Sequence, residues 1–240
     1  TPDQIYTWSD ANKTTPKTSA PALADAMELF RPYAEAGREI VCFSISAGMS
    51  TSGNVMRLAA EELGASDRIK VIDSANLSTG IGLLVVEAAI MAKNNRTASQ
   101  IVSEIEKLKP NVRASFVVDT LTYLYRGGRC NAVAAMAGGV LKLHPRIVVE
   151  DGAMNASKKY RGKIASVVMN YVKDMEKDLK NARPERVFIT HSGCKQETVE
   201  KVRAYLEELG VFDEILETRA GGVISSHCGP GTLGVLYIAK

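Results

Sequence analysis

Apolar and polar positions follow two alternating periodicities in the first half of the chain. Short, β-prone apolar segments are separated by longer segments whose apolar residues recur at helical spacing. Such a βαβ order favours a parallel sheet with helices on both faces, so we predict a three-layer α/β arrangement. In chain order the predicted elements are helix 21–36, strand 39–44, helix 54–63, strand 69–72, helices 79–93 and 98–108, and strand 114–118.

The second half of the chain predicts a mixed sheet. Two β-prone segments flank the turn dipeptide Asp151-Gly152 and therefore indicate a hairpin, whereas the segments after them again alternate between helix and strand. A hairpin added to alternating elements gives strands of both directions. The predicted elements are helices 119–125 and 131–143, strands 146–150 and 153–157, helix 162–179, strand 186–190, helix 197–209, and strands 212–217 and 233–238.

The chain is expected to fold as two domains. Pro110 ends a helix just before a predicted strand, so we place the boundary there. The predicted domains are residues 1–113, with the parallel sheet, and residues 114–240, with the mixed sheet. The chain opens with Thr1 and Pro2, which is the pattern of a helix N-cap followed by proline. Because a doubly wound domain usually begins with a strand, we expect either that the N-terminal domain lacks its first strand segment or that this strand comes from elsewhere.

Composition indicates an ordinary folded protein. The 240-residue chain is 45% hydrophobic and 24% charged, which allows a sizeable core. It has no uncharged run near the ~18 residues of a membrane span and does not open with a secretory signal. We therefore expect a cytoplasmic protein without integral membrane association. The four cysteines lack metal-site spacing, which indicates free thiols and no zinc.

The net charge of +3 is distributed unevenly. Residues 113–163 carry nine basic and three acidic side chains, a net charge of +6, whereas the rest of the chain carries −3. Such a region can bind nucleic acid, but only 6% of the residues are aromatic and no nucleic-acid-binding motif is present. We therefore expect no nucleic-acid partner, and an acidic protein surface or a nucleotide phosphate is the better match.

Three polar segments are candidates for a ligand site. Residues 44–53 place five hydroxyls and two glycines between a strand and a helix, where free backbone N–H groups and the helix dipole favour an anion. Residues 14–21 form a second hydroxyl-rich loop, and residues 225–232 place His227 among small residues. Helix capping and a structural histidine are the simpler alternatives. The first segment contains no basic residue, so a phosphate and a carboxylate both remain open as its ligand.

Ser50 also has features of a catalytic nucleophile. Residues 48–52 miss the GxSxG elbow only at its last glycine. Ser50, an acid such as Asp119 or Asp151, and His227 follow the chain order of an α/β-hydrolase. No HGGG-like oxyanion segment is present. A serine hydrolase that uses Ser50 and His227 is therefore the alternative function, and a sugar or metabolite binder is a third.

Taken together, these segments resemble the DegV family of bacterial fatty-acid-binding proteins. Residues 17–21 are similar to the family's TSQP loop, and residues 45–52 are similar to its ISSxLSGT turn. Further matches follow in the same order and cover nearly the whole chain. They are residues 71–74 with Ser78, Gly80 and Gly82, residues 121–129, residues 138–145, Asp151-Gly152, residues 159–162 and residues 227–232.

The resemblance implies a two-domain α/β carrier with a long-chain fatty acid buried between its domains. The family delivers this fatty acid to a fatty acid kinase, which makes acyl phosphate for phospholipid synthesis, so the resemblance implies no catalytic residue and no cofactor. By motif match, Thr18, Ser50 and His227 bind the fatty-acid carboxylate. The same motif match implies that Arg129 and Arg161 face the kinase.

Two further groups of residues are expected near the ligand. Hydroxyl side chains beside the matched ones are secondary candidates for the carboxylate: Ser19, Ser46 and Thr51. Apolar side chains on predicted helices are candidates for the wall around the tail: Ile81, Leu84 and Met136.

Overall fold

The computed structural model describes residues 1–129 and 143–240 and confirms the predicted α/β class, with one parallel and one mixed sheet. The predicted helix 131–143 lies outside the described residues, apart from Leu143, which begins a strand. None of the described helices combines the length and apolar character needed to cross a membrane. In chain order the elements are α1 (Pro2–Asn12), α2 (Leu23–Glu35), β1 (Ile40–Ser44), α3 (Ser52–Glu62), β2 (Ile69–Asp73), α4 (Thr79–Lys93), α5 (Ala98–Leu108), a 3-10 turn (Lys109–Asn111), β3 (Val112–Val117), α6 (Thr122–Arg126), β4 (Leu143–Glu150), β5 (Ala153–Arg161), α7 (Ile164–Asp174), α8 (Glu176–Lys180), β6 (Ala182–Ser192), α9 (Gln196–Leu209), β7 (Glu214–Arg219), α10 (Gly222–Cys228) and β8 (Thr232–Ala239).

The chain divides into two compact units. Unit 1 comprises residues 1–18, 111–150 and 154–240, and unit 2 comprises residues 19–110 and 151–153. The sequence placed the expected boundary between residues 113 and 114, with residues 1–18 in the N-terminal domain. In the structure residues 1–18 belong to the same unit as the C-terminal part of the chain.

Helix α1 belongs to unit 1 because of its tertiary contacts. Thr1 caps the helix in a capping box with Gln4, and Pro2 occupies the first turn, as predicted. The helix packs against α10, and the hydroxyl of Tyr6 lies 2.6 Å from Ser192 Oγ, 186 positions away. A sequence pattern of local periodicity carries no information about so distant a partner.

Unit 1 is built on the mixed sheet, whose strand order is β5-β4-β3-β8-β6-β7. Strand β3 pairs antiparallel with β4 and β8, β6 pairs antiparallel with β8, and β6 and β7 are parallel. Strands β4 and β5 are neighbours joined by the turn at Asp151-Gly152, so the predicted hairpin is confirmed. Both residues of the turn have positive φ, which asparagine, aspartate and glycine tolerate best.

The core of unit 1 contains residues of α7, α8, α9 and the inner strands. The predicted single helix 162–179 is divided into α7 and α8 at Met175. The N–H of Met175 donates to the carbonyl of Val172, three residues back, which interrupts the helical hydrogen-bond ladder. Met175, at the break, and Leu179, in α8, are both buried in the same core.

Unit 2 contains the two-stranded parallel sheet, in which Ile40 pairs with Ile69 and Ser44 with Asp73. Helices α2 and α3 pack against each other beside this sheet. Their buried contact is rich in alanine, and small side chains allow two helices to approach closely. The buried residues of this core are Ala26, Phe30, Ala34, Ala59, Ala60, Ala65 and Ile69.

Helix α10 was not predicted, because the sequence indicated a glycine-rich loop at residues 225–232. The glycines lie at the ends of the helix rather than inside it, and Gly229 adopts a φ of 70° just after the last turn. Within the helix, the Ser226 hydroxyl donates to the Gly222 carbonyl at 2.8 Å. The Ser225 hydroxyl donates to the Ala220 carbonyl at 3.2 Å. These serines therefore satisfy backbone groups of a short helix that follows β7.

Replacing Tyr171 by Phe is expected to destabilise the protein. The buried Tyr171 hydroxyl donates to the Ser115 carbonyl at 2.7 Å and accepts the N–H of Val235 at 3.0 Å. Its loss removes partners from buried polar groups, which typically costs about 1 to 3 kcal/mol. Urea unfolding should show this loss for Y171F, whereas Y33F, at a half-exposed tyrosine, should stay within about 0.5 kcal/mol of wild type. Equal stability of the two variants would contradict the structural role of the Tyr171 hydroxyl.

Candidate functional site

The hydroxyl-rich loop follows β1 in unit 2, at the edge where both parallel strands end. The N–H of Ser46 donates to the Asn76 carbonyl at 2.9 Å, which ties the loop after β1 to the loop after β2. The Asp73 carboxylate, at the end of β2, accepts the N–H groups of Ala47 and Ala75. The carboxyl edge of a parallel sheet is where α/β proteins commonly bind ligands.

Ser46 fixes the shape of this loop. Its hydroxyl donates to the Gly152 carbonyl at 2.6 Å and accepts the Gly48 N–H at 3.2 Å. The side chain is 2% exposed, and both bonds are internal to unit 2. Ser46, a secondary candidate for ligand binding, is thus engaged in holding the backbone.

Ser50 is the half-buried hydroxyl at the start of α3. Its Oγ accepts the Ser52 N–H at 3.3 Å and lies 2.8 Å from Ser52 Oγ. Thr51, the other hydroxyl here, is exposed, and its side chain does not cap the helix. Ser50 therefore occupies the position where the N–H groups and dipole of an 11-residue helix favour an anion.

Two features of this loop were not apparent from the sequence. Ser44 Oγ is buried and makes no hydrogen bond within residues 1–129 and 143–240. A Cβ atom built on Gly53 would lie 2.7 Å from this oxygen and 3.5 Å from Arg57 Nη1. A guanidinium group therefore lies near the first turn of α3, although the loop itself contains no cation. The spacing of four residues between Gly53 and Arg57 could have indicated this proximity.

In unit 1, the structure brings two predicted ligand-binding residues together. Thr18 Oγ1 lies 2.8 Å from His227 Nε2, and the pair is partly buried. Lys17, next to Thr18, donates from Nζ to the Arg126 carbonyl at 3.2 Å, which holds the loop near the end of α6. His227 lies on α10, the helix that the sequence did not predict.

Gly127 determines how closely the backbone approaches His227. A Cβ atom built on Gly127 would lie 2.1 Å from His227 Nδ1, which no real structure permits without a shift of the ring. Gly229 is similarly constrained, because its Cβ would lie 2.5 Å from the ring of Tyr123, and its φ is +70°. The two glycines therefore belong to the packing that holds the imidazole in place.

The His227 imidazole is favoured in its neutral form. Burial lowers its pKa below the ordinary value of 6.5, and the positive charges of Arg129 and Lys17 lower the pKa further. Arg129 Nη1 donates to the Gly127 carbonyl at 3.0 Å. Arg129, expected from the resemblance to face a kinase, is thus also a neighbour of the imidazole.

Most of the other predicted site residues belong to unit 2. Ser50, Ser46 and Thr51 belong to unit 2, as does the exposed Ser19. Arg161 is exposed at the end of β5 in unit 1. Of the two tail-wall candidates on α4, Ile81 is half-buried, whereas Leu84 has no exposed surface. The third candidate, Met136, lies outside the described residues.

The contacts of the candidate residues do not favour a serine hydrolase. His227 Nε2 is bonded to Thr18 rather than to a serine, and its Nδ1 has no hydrogen-bond partner in the described part of the chain. A catalytic triad requires an acid at that nitrogen. Asp119 lies 3.4 Å from Nδ1 of His144, a different histidine.

The described residues contain no metal-like cluster of three or more ligating side chains. Cys42, Cys194 and Cys228 are free thiols. Burial raises the pKa of Cys42 to about 11 and the pKa values of Cys194 and Cys228 to about 12, so all three are protonated at neutral pH. The polar groups available for a ligand are therefore hydroxyls, a neutral imidazole and nearby cations.

Comparisons of the chain with a family model and with related proteins indicate the same family. A model described as an uncharacterised protein of the DegV family matches residues 1–240. A DegV domain-containing protein of Deinococcus radiodurans is 31% identical over 231 residues, which cover 94% of this chain and 79% of that protein.

Two solved structures with the same fold are described as fatty-acid-binding proteins. A DegV family protein from Thermus thermophilus, described by its fatty acid binding, has a TM-score of 0.89 and 27% identity, and the match covers 100% of this chain and 85% of that one. A stearic acid-binding protein from Eubacterium ventriosum has a TM-score of 0.84 and 27% identity, with 100% and 84% coverage.

The pKa of His227 should be measurably low and should respond to the two neighbouring cations. NMR titration of the imidazole is expected to give a pKa below 6.5, and K17M or R129M should raise it, because each removes a positive charge. His191 is an internal control, because its pKa is lowered by burial and affected by Glu217 and Arg219 instead. Shifts of equal size at both histidines would contradict the assignment.

The lowered pKa of His227 also makes the stability of the folded protein depend on pH. The unfolded chain binds a proton at His227 near pH 6.5, whereas the folded chain binds it only at lower pH. The stability from the neutral imidazole is therefore fully present above about pH 6.5 and is lost as the pH falls through the folded pKa.

Proposed function

The chain belongs to the DegV family, and we propose that it is a carrier that binds a long-chain fatty acid and presents it to a fatty acid kinase. The fatty acids bound by the similar proteins from Thermus thermophilus and Eubacterium ventriosum support the ligand class. In this proposal the carboxylate is held by Thr18, Ser50 and His227. The kinase makes the acyl phosphate, and the carrier performs no reaction.

The hydrogen bond between Thr18 and His227 carries the proposal. A carboxylate accepts hydrogen bonds and donates none, so Thr18 must direct its hydroxyl hydrogen to the ligand. This requires Nε2 of His227 to carry a hydrogen and donate it to Thr18 Oγ1, across the observed 2.8 Å. A neutral imidazole protonated at Nε2 meets that requirement, and an imidazolium would also do so.

The groups around Ser50 support the same ligand. Its hydroxyl lies at the N-terminal end of α3, where partial positive charge favours an anion, and Arg57 is on the next turn. A hydrogen bond from a hydroxyl to a carboxylate is charge-assisted and roughly twice as strong as one between neutral groups. The site does not need a lysine in direct contact with the carboxylate.

Most of the affinity would come from the fatty-acid tail. Each buried methylene contributes about 0.8 kcal/mol, so a dozen of them outweigh the head group before ordering costs are counted. Of the wall positions expected from the sequence, Ile81 keeps accessible surface and Leu84 does not. We therefore assign Ile81, and not Leu84, to the wall around the tail.

The basic region supports a partner with an acidic surface or a nucleotide. Arg161 is exposed at the end of β5, and the exposed Lys159, two residues earlier, lies on the same face of the strand. An arginine can bind a phosphate or a carboxylate through two parallel hydrogen bonds. We assign Arg161 to the kinase contact, and Arg129 to that contact and to the electrostatics of His227.

Protein purified from a bacterial host should contain long-chain fatty acid at near one molecule per chain, as measured by denaturing extraction and mass spectrometry. T18A and S50A should each retain less, because each removes a donor to a buried charge at a typical cost of about 1 to 3 kcal/mol, or roughly 5- to 150-fold in affinity. S103A, at an exposed serine of α5, is the matched control and should retain wild-type lipid.

Other outcomes would favour the alternative function or show that the two hydroxyls bind separately. Protein without lipid, together with labelling of Ser50 by a fluorophosphonate probe, would favour the serine hydrolase instead. Additive losses in a T18A/S50A double variant would indicate that the two hydroxyls act independently, whereas non-additive losses would indicate one shared head group.

The kinase assignment predicts a separation of binding from transfer. R161A should keep the wild-type lipid content but slow acyl phosphate formation by a purified fatty acid kinase with ATP. R129A should slow transfer and also alter lipid affinity, because Arg129 neighbours His227. R31A, at an exposed arginine of α2, should change neither quantity. Loss of bound lipid in R161A would contradict the assignment of Arg161.

A further inference from the structure

We propose that Ser52 is a positioning residue that makes the Ser50 hydroxyl a hydrogen-bond donor toward the ligand, and that it thereby helps to select a carboxylate over an alcohol head group. The proposal rests on the proposed function and extends it from the ligand class to the basis of head-group recognition. Neither the sequence motif nor the family resemblance assigned a role to Ser52.

The contacts of Ser50 define what its hydroxyl can do. A serine hydroxyl has one hydrogen to donate and can accept two hydrogen bonds. Ser50 Oγ accepts the Ser52 N–H at 3.3 Å, and Ser52 Oγ lies 2.8 Å away. When Ser52 Oγ donates to Ser50, both accepting positions of Ser50 are filled by one residue. The hydrogen of Ser50 is then directed away from the protein groups around it.

The opposite orientation, in which Ser50 donates to Ser52, is also open to the free pair. A carboxylate at Ser50 selects the first orientation, because an acceptor-only group gains a bond only from a hydroxyl that points its hydrogen outward. The Ser52 N–H, already directed at Ser50 Oγ, favours the same polarity, because a hydroxyl that accepts a hydrogen bond becomes a better donor.

The same arrangement occurs in unit 1, with different chemistry. In the proposed complex His227 Nε2 donates a hydrogen bond to Thr18 Oγ1, and the Thr18 hydroxyl donates a hydrogen bond to the carboxylate. Ser52 has the corresponding relation to Ser50. Each candidate hydroxyl therefore has a donor behind it, which leaves its own hydrogen free for the ligand. At Ser50 both accepting positions are then filled, so a ligand that must donate finds none there.

Helix stability and ligand selection can be separated at this position. The N–H of Ser52 reaches Ser50 Oγ through the backbone, so S52A keeps the bond that caps the first turn of α3. S52A removes the Ser52 hydroxyl both as the donor to Ser50 and as an alternative acceptor of the Ser50 hydrogen. In S52A the vacated accepting position on Ser50 can be filled by an alcohol, whereas a carboxylate, which cannot donate, leaves it unfilled and loses the polarisation of Ser50 by Ser52.

The test measures the affinity of delipidated protein for palmitate and for 1-hexadecanol by calorimetry. S52A should weaken palmitate binding about 10-fold, which is roughly the value of one hydrogen bond, because Ser50 remains the donor to the carboxylate but is no longer oriented by Ser52. Binding of 1-hexadecanol should be unchanged or stronger. S52T, which keeps a hydroxyl on the same carbon, should restore palmitate binding. S103A is the control for a serine-to-alanine change on the surface of unit 2.

Three outcomes would overturn the proposal: unchanged palmitate affinity in S52A, equal losses for palmitate and 1-hexadecanol, or an S52T variant no better than S52A. Urea unfolding of delipidated S52A should match wild type, so that a lower affinity reports recognition rather than unfolding. Wild-type protein that binds palmitate while S52A behaves identically would refute only the role of Ser52. Wild-type protein that does not bind palmitate would refute the proposed function, and the role of Ser52 with it.

Discussion

The hydrogen bond between Thr18 and His227 joins residues 209 positions apart and is the interaction on which the candidate site of unit 1 depends. It forms because the backbone at Gly127 comes close enough to the imidazole that no side chain fits between them. Gly229 gives the chain after α10 a positive φ and room beside Tyr123. Without close approach of the backbone to the rings of His227 and Tyr123, His227 Nε2 would not be held within hydrogen-bond distance of Thr18.

The chemistry of the site follows from neutral donors in partly buried places. Burial lowers the pKa of His227 and the adjacent cations reinforce the effect, so the imidazole stays uncharged at neutral pH and serves as a directional hydrogen-bonding group. Unit 2 obtains a similar polarity from a helix N-terminus and a pair of serines. In both units cations lie beside the hydroxyls, and the groups assigned to contact the carboxylate are themselves uncharged.

The sequence predicted the regular elements well where periodicity is long and interrupted by clear breakers. Helices α4 and α5 begin and end at the predicted residues, because their apolar spacing is sustained and Pro110 follows. Helix α10 was missed because its seven residues are too few to show a period and are flanked by glycines, which also occur in loops. The membership of residues 1–18 could not be predicted, because it depends on contacts such as Tyr6 with Ser192.

For the candidate site, the sequence identified residue types better than their partners. Thr18 and His227 were expected at one ligand, and the structure places them in direct contact. Ser50 was singled out as well, but the roles of Ser52 and Gly127 are set by distances that the sequence does not contain. Arg57 was overlooked because a helix brings it back toward a loop without basic residues.

The raised pKa values of Cys42, Cys194 and Cys228 have a consequence for the proposed carrier, whose proposed partner is a kinase. An acyl phosphate is an acylating agent, and thiolates are the form of cysteine that attacks such electrophiles. Because burial keeps these three thiols protonated, they are poor acceptors of an activated acyl group. Burial of these three cysteines would thus protect them from acylation by the acyl phosphate that is formed from the carrier's own ligand.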